Sequence, residues 1–292
     1  MKKIICSVLP LLLLLTVSSK ANSKSIIWLH RNGALQGHEA RIAKALGDEL
    51  AITKSSLNSL QNQCVKGAKT PLTVISANIP LLKEARQLLA LKDDACKYQL
   101  ISVLNTTKGI NRHYSFDSNT KHLVVEQPLV EQVRYVDDRL PDYMKIGVLH
   151  SYPPHSIELS KLKREVRAKR NPYIFEGVSN AKHAIKKLKD LADKVDVIIV
   201  GNHAPLLSKK YLKAALIYTV RKRIPMLGGP SSDLIRSGFL GGVYSTDKGL
   251  VDALNEIIFN FEDAAYHTYS NEYLIKSNKL LAKQLRMEYL MP

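Results

Sequence analysis

The chain has 292 residues, with 43 lysines and arginines against 26 acidic residues and a formal charge of +17. That length is enough for one large or two mid-sized cores. A pI near 9.7 invites a nucleic-acid reading. However, the basic residues run along helical stretches such as SKLKREVRAKR and AKHAIKKLKDLADK, the pattern of solvated helix faces. No nucleic-acid partner is expected, although the summed field favours anionic ligands or anionic envelope surfaces.

The N-terminus is patterned for export. Lys2 and Lys3 precede an apolar run from Ile4 to Val17, and Ser19-Lys20-Ala21 places small residues at the −3 and −1 positions of a cleavage site. Residues 1–21 therefore read as a secretory signal peptide, too short and wrongly flanked for a spanning helix. Cys6 lies inside the apolar run without a lipoprotein box. No later stretch approaches ~18 continuous apolar residues, so the expectation is a soluble periplasmic protein that spans no membrane after cleavage. Cys64 and Cys96 are the cysteines left after cleavage, and an even pair in an oxidising compartment reads as one disulfide.

Strand and helix signals then alternate. SIIWLH (25–30) is a strand and GHEARIAKALGDEL (37–50) a helix, and residues 51–67 hold a second strand and a short helix. TPLTVISAN (70–78) is a buried strand, IPLLKEARQLLALKDDAC a helix, and KYQLISVLN (97–105) a strand. HLVVEQ leads into the helix PLVEQVRYVDDRL. At KIGVLHS (145–151) the series restarts: helix SIELSKLKREVRAKR, strand NPYIFEGV, then helix SNAKHAIKKLKDLADK with Ser179 as its N-cap. VDVIIVGN, SKKYLKAALIYTVRKR, IPMLGG, SSDLIRSG and FLGGVYS continue the alternation, and a long helix spans Asp247 to about Tyr266. Strands separated by helices mean α/β architecture with parallel sheets covered on both faces. Continuous apolar runs such as VDVIIV fit strands buried on both sides. The restart divides the chain into lobe 1, residues 22–142 with 269–292 returning to it, and lobe 2, residues 143–268.

Catalytic signatures are missing: there is no Gly-rich phosphate loop, no nucleophile elbow and no carboxylate pair at a strand end. No enzyme, cofactor or resident metal is expected. Ligands of open α/β sheets bind beyond the carboxyl ends of the strands. His30, His150 and His203 all fall at such ends, with Arg31, Asn78, Asn105 and Tyr152 nearby and Tyr244 as a further candidate. Imidazoles there suit a polar ligand, an anion or a metal, and Arg31 favours an anionic group.

The order KIGVLHS, VDVIIVGNHAPLLSKKYLKAALIYTVRKRIPMLGG and SGFLGGVYSTDKGLVDAL, closed by YLIKSNKLLAKQLRMEYLMP, resembles the ABC-transporter substrate-binding family of tryptophan and tyrosine type. The first half fits in the same order through SIIWLH, TPLTVISANIPLLKEA and KYQLISVL. The resemblance implies a periplasmic-binding-protein fold of type I kind: two Rossmann-like lobes joined by a hinge, closing on a small solute for an ABC permease. This chain departs from the family at Gly201-Asn202-His203-Ala204, at Asn105-Thr106-Thr107-Lys108 and at Phe239, all at positions where the resemblance implies the cleft. The alternative on the same scaffold is a periplasmic sensory or accessory protein that passes ligand state to a membrane receptor.

Overall fold

A computed structural model describes residues 24–30, 37–63, 70–90, 97–105, 119–151, 156–202 and 204–292. The first series runs β1 (Ile26–Leu29), α1 (Gly37–Glu49), β2 (Ile52–Ser55), α2 (Leu57–Gln63), β3 (Leu72–Ser76), α3 (Ile79–Ala90), β4 (Tyr98–Asn105), β5 (Thr120–Val124) and α4 (Leu129–Asp137). The second runs β6 (Ile146–Ser151), α5 (Ser156–Glu165), β7 (Tyr173–Val178), α6 (Ala181–Ala192), β8 (Val197–Val200), α7 (Lys209–Arg221), β9 (Met226–Gly228), α8 (Asp233–Ser237) and β10 (Gly241–Ser245). Then come α9 (Asp247–Phe259), β11 (His267–Tyr269), β12 (Tyr273–Ser277) and α10 (Lys279–Leu285).

These strands form two six-stranded sheets, ordered β11-β5-β4-β3-β1-β2 and β12-β10-β9-β8-β6-β7. All pairings are parallel except β12 against β10. Residues of β1, β3 and β8 are buried throughout because helices cover both faces. In the first sheet Ile26, Trp28 and Ile75 pack on α1 and α9, whereas Ile27, Val74 and Leu100 pack on α2 and α3. Alternation along each strand thus feeds two cores, and each fully buried Leu or Ile contributes about 1.5–3 kcal/mol. The second sheet repeats the arrangement, with Val148 and Ile199 on one face and Leu149 and Ile198 on the other.

Several helix starts are set by side chains. Asn180, not the expected Ser179, caps α6 and accepts from His183 N. Thr246 caps α9 by accepting from Gly249 N, and Asn278 caps α10. The long helix expected to reach Tyr266 stops at Phe259. The chain turns there and forms β11, which pairs in register with β5 as His267↔His122 and Tyr269↔Val124.

The division into lobes differs from the expected boundaries. Although α4 follows β5, its Val133 and Val136 sit in the core of the second sheet. Its Gln132 amide donates to Val243 O (2.6 Å) and accepts from Val243 N (2.9 Å), as a neighbouring strand would. Conversely, α9 follows β10 but packs on the first sheet, and β11 joins that sheet. The segment 269–292 does not return to lobe 1 as a whole: β12 pairs with β10, and Leu281 and Leu285 of α10 fill the second core. The chain therefore crosses between lobes three times, near 125–128, 245–246 and 270–272.

Candidate functional site

Parallel strands of one sheet share a direction, and the crossings leave the carboxyl ends of β5, β10 and β11. Ser245 at the end of β10 pairs with Tyr273 at the start of β12, so the second and third crossings lie side by side. The carboxyl edges of both sheets consequently converge on the crossings, which is the ligand position of open α/β sheets.

One side chain ties the crossings together. Gln127, 3% exposed in the first crossing, donates through Nε2 to Ser245 Oγ of the second (3.0 Å) and to Ser270 O of the third (3.1 Å). Its own carbonyl accepts from Asn202 Nδ2, beyond the end of β8, at 2.7 Å. The other side-chain atom of that residue, Asn202 Oδ1, is buried without a hydrogen-bond partner. Gln127 did not stand out in the sequence, whereas Asn202 lies in the segment Gly201-Asn202-His203-Ala204 where the chain departs from the family it resembles. The position of Gln127-Pro128 between an apolar strand and a helix was the available signal, and it reads as a turn.

The expected site residues divide by what their polar atoms do. His30 follows β1; its backbone N–H donates to Ser55 O (3.2 Å), while Nδ1 is buried and unpartnered. Asn78 is occupied as an N-cap, its Oδ1 accepting from Leu81 N (3.0 Å). Asn105 lies beyond an irregularity in the β4–β5 register, where Leu104 adopts a φ of 58°, and its amide donates to Val103 O (2.7 Å). His150 at the end of β6 places Nδ1 2.8 Å from Ser151 O. A carbonyl only accepts, so Nδ1 carries the proton and neutral His150 retains Nε2 as an acceptor. Burial lowers its pKa, Lys163 adds to this, and the Ser151 bond and Glu176 oppose it. Tyr244 is 6% exposed and donates to Gly228 O (3.2 Å), so its hydroxyl is used inside the second lobe. Arg31, Tyr152, His203, Cys64 and Cys96 lie outside the described residues.

A cavity of about 710 Å³ lies between the lobes beside the third crossing, and Gln127 and Ser270 are part of its lining. Glu131, Arg134 and Lys161 line it from the second lobe, and Glu256, Asp263 and Tyr269 from the first. None of the expected site residues that are described lines it. Among the described residues no group of three or more His, Cys, Asp or Glu is placed to hold a metal ion, and no helix is long and apolar enough to cross a membrane.

Two mainly parallel sheets, three crossings and converging carboxyl edges define the type I periplasmic-binding-protein-like fold. Among solved structures, the chain is similar to a ligand-free, open substrate-binding protein with adhesive properties from Clostridium difficile. The TM-score is 0.60 at 14% identity, covering 91% of this chain and 95% of that one. It is also similar to a Streptococcus pneumonia ABC domain in complex with L-Trp (TM-score 0.52, 15% identity, 90% and 95% covered). A third is a periplasmic ribose ABC transporter protein from Conexibacter woesei (TM-score 0.51, 13% identity, 90% and 95% covered). At these identities the likeness is one of fold. No protein-family model and no curated protein matches the sequence.

Proposed function

We propose that the protein is an exported solute-binding protein that closes about its three crossings on a small polar solute and presents it to an ABC permease. The observation that carries the reading is the pair of orphaned polar atoms on opposite lobes, His30 Nδ1 at the end of β1 and Asn202 Oδ1 beyond β8. A buried polar atom without a partner costs roughly 1–3 kcal/mol, and a ligand with hydroxyl or amine groups relieves that cost. Neutral His150 adds a further acceptor at the carboxyl edge of β6. Contacts from both lobes favour the closed form over the open one, which couples binding to hinge motion. The substrate-binding proteins of similar fold support the same reading.

A thermal-shift screen of amino acids, sugars, nucleosides, oligopeptides and metals tests it, because a ligand that binds only the native state raises the melting temperature by mass action. The expected result is a saturable shift for one polar class, accompanied by compaction in small-angle scattering. A screen without shifts, or a shift without compaction, refutes binding by hinge closure.

A further inference from the structure

The positive charge of the chain is enriched in one segment. Between Lys161 and Lys194 there are eleven lysines and arginines against four carboxylates, seven of the chain's net seventeen charges. The segment folds as α5, the edge strand β7 and α6. Leu159 and Leu162 anchor α5 on one side of the second sheet, and Ala184 and Leu188 anchor α6 on the other. The two helices therefore lie on opposite sides of the sheet near its β7 edge, and their basic side chains are exposed. With α6 twelve residues long, this basic surface extends about 18 Å along the helix.

Little of this charge is neutralised locally. Lys169, Arg170 and Lys187 pair with Asp137, Asp142 and Glu176. The other eight basic residues make no ion pair among the described residues. Two of the four carboxylates are engaged by bases from outside the segment, Glu165 by Arg134 and Asp193 by Lys222. Charges spaced within a screening length of about 8 Å add their fields.

The rest of the face narrows the partner. The exposed large apolar side chains among the described residues all fall outside 161–194, so the apolar centre of a protein–protein interface is missing. Tyr173 and Phe175 stack on each other at 6.3 Å beneath Lys163, which lies 5.2 Å over the Phe175 ring, so neither offers a platform for nucleic-acid bases. A broad basic surface with no apolar anchor and no stacking ring fits a diffuse array of anionic headgroups. We propose that this face adsorbs the protein onto an anionic phospholipid bilayer. Adsorption uses the outer edge of the second lobe, and of its basic residues Lys161 also borders the interlobe cavity.

Co-sedimentation of the protein with phosphatidylcholine vesicles, with and without about 40% phosphatidylglycerol, tests the proposal in low salt. Binding is expected with the anionic vesicles only, with release as salt screens the charges. The variant Lys161→Ala/Lys163→Ala/Arg164→Ala/Arg167→Ala is expected to bind at least roughly tenfold more weakly. Removing the same charge from the first lobe, Lys44→Ala/Lys54→Ala/Lys83→Ala/Lys97→Ala, is expected to change binding by less than about twofold. The charge-conserving set Lys161→Arg/Lys163→Arg/Arg164→Lys/Arg167→Lys is expected to bind as the parent does, which separates charge from folding. Equal losses in the two alanine sets, or tighter binding to a single-stranded oligonucleotide than to the vesicles, would overturn it.

Discussion

Replacing Gln127 by leucine keeps roughly the same volume but removes the amide that joins the three crossings. Two hydrogen bonds are lost, to Ser245 Oγ at 3.0 Å and Ser270 O at 3.1 Å, in a side chain that is 3% exposed. At roughly 1 kcal/mol per bond, with the buried Ser270 carbonyl left short of a donor, the expected loss is about 2–3 kcal/mol. For a chain of this size that corresponds to a fall of about 4–8 °C in Tm, read by calorimetry. Ser245→Ala removes one of the two bonds and is expected to cost about half as much. Because both substitutions break the same bond, the double variant should fall short of additivity by about 1 kcal/mol. A Tm change below about 1 °C for Gln127→Leu, or strict additivity, would show that this residue does not hold the crossings.

Gly249 sits where α9 meets the third crossing: an added Cβ would lie 2.2 Å from Ser270 Oγ and 2.7 Å from Glu272 O. Gly249→Ala is therefore expected to destabilise by about 1–3 kcal/mol. Gly47→Ala in α1, with nothing within 4 Å, is expected to stabilise by up to about 1 kcal/mol; matching signs in urea melts would refute the packing argument. The folded-state pKa of His150 lies below its ordinary value, so the unfolded chain takes up that proton first as pH falls. Its linkage therefore lowers stability as pH drops below about 6.5, and His150→Gln should flatten urea midpoints between pH 7 and 5. An unchanged slope refutes this. Protein purified from an oxidising compartment should titrate no free thiol if Cys64 and Cys96 are bonded, a link contributing about 3–4 kcal/mol; two free thiols exclude the bond. Once a solute is known, Arg31→Ala and His203→Ala should each weaken it by more than about tenfold, as expected for charged or hydrogen-bonded contacts, and unchanged affinity in both would remove these residues from the site.

Most elements were legible because each carries its own local signal. VDVIIV and KIGVL read as strands buried on both faces, and the helices between them show one apolar stripe, whichever sheet they cover. The exception is β11: His-Thr-Tyr has no apolar run, and its strand character comes from pairing with β5, which is distant in sequence. Strand-end reasoning located the carboxyl edges that carry His30 and His150. It did not decide which polar groups stay available there. Asn78 is consumed as a helix cap and Tyr244 by the Gly228 carbonyl, and those partners exist only after the chain has turned or the sheet has formed.

Alternation of strands and helices, read along the chain, determined the α/β class and the presence of two series. It could not assign helices to lobes, because an amphipathic helix has the same pattern whether it packs on the sheet before it or the sheet after it. Tertiary packing alone moved α4 to the second lobe, returned α9 and β11 to the first, and sent β12 back again. Those exchanges create the three crossings, and only they make Gln127 more than a turn residue before a helix. The physical reason is range: periodicity and capping act over a few residues, whereas Gln127 meets partners 75, 118 and 143 positions away.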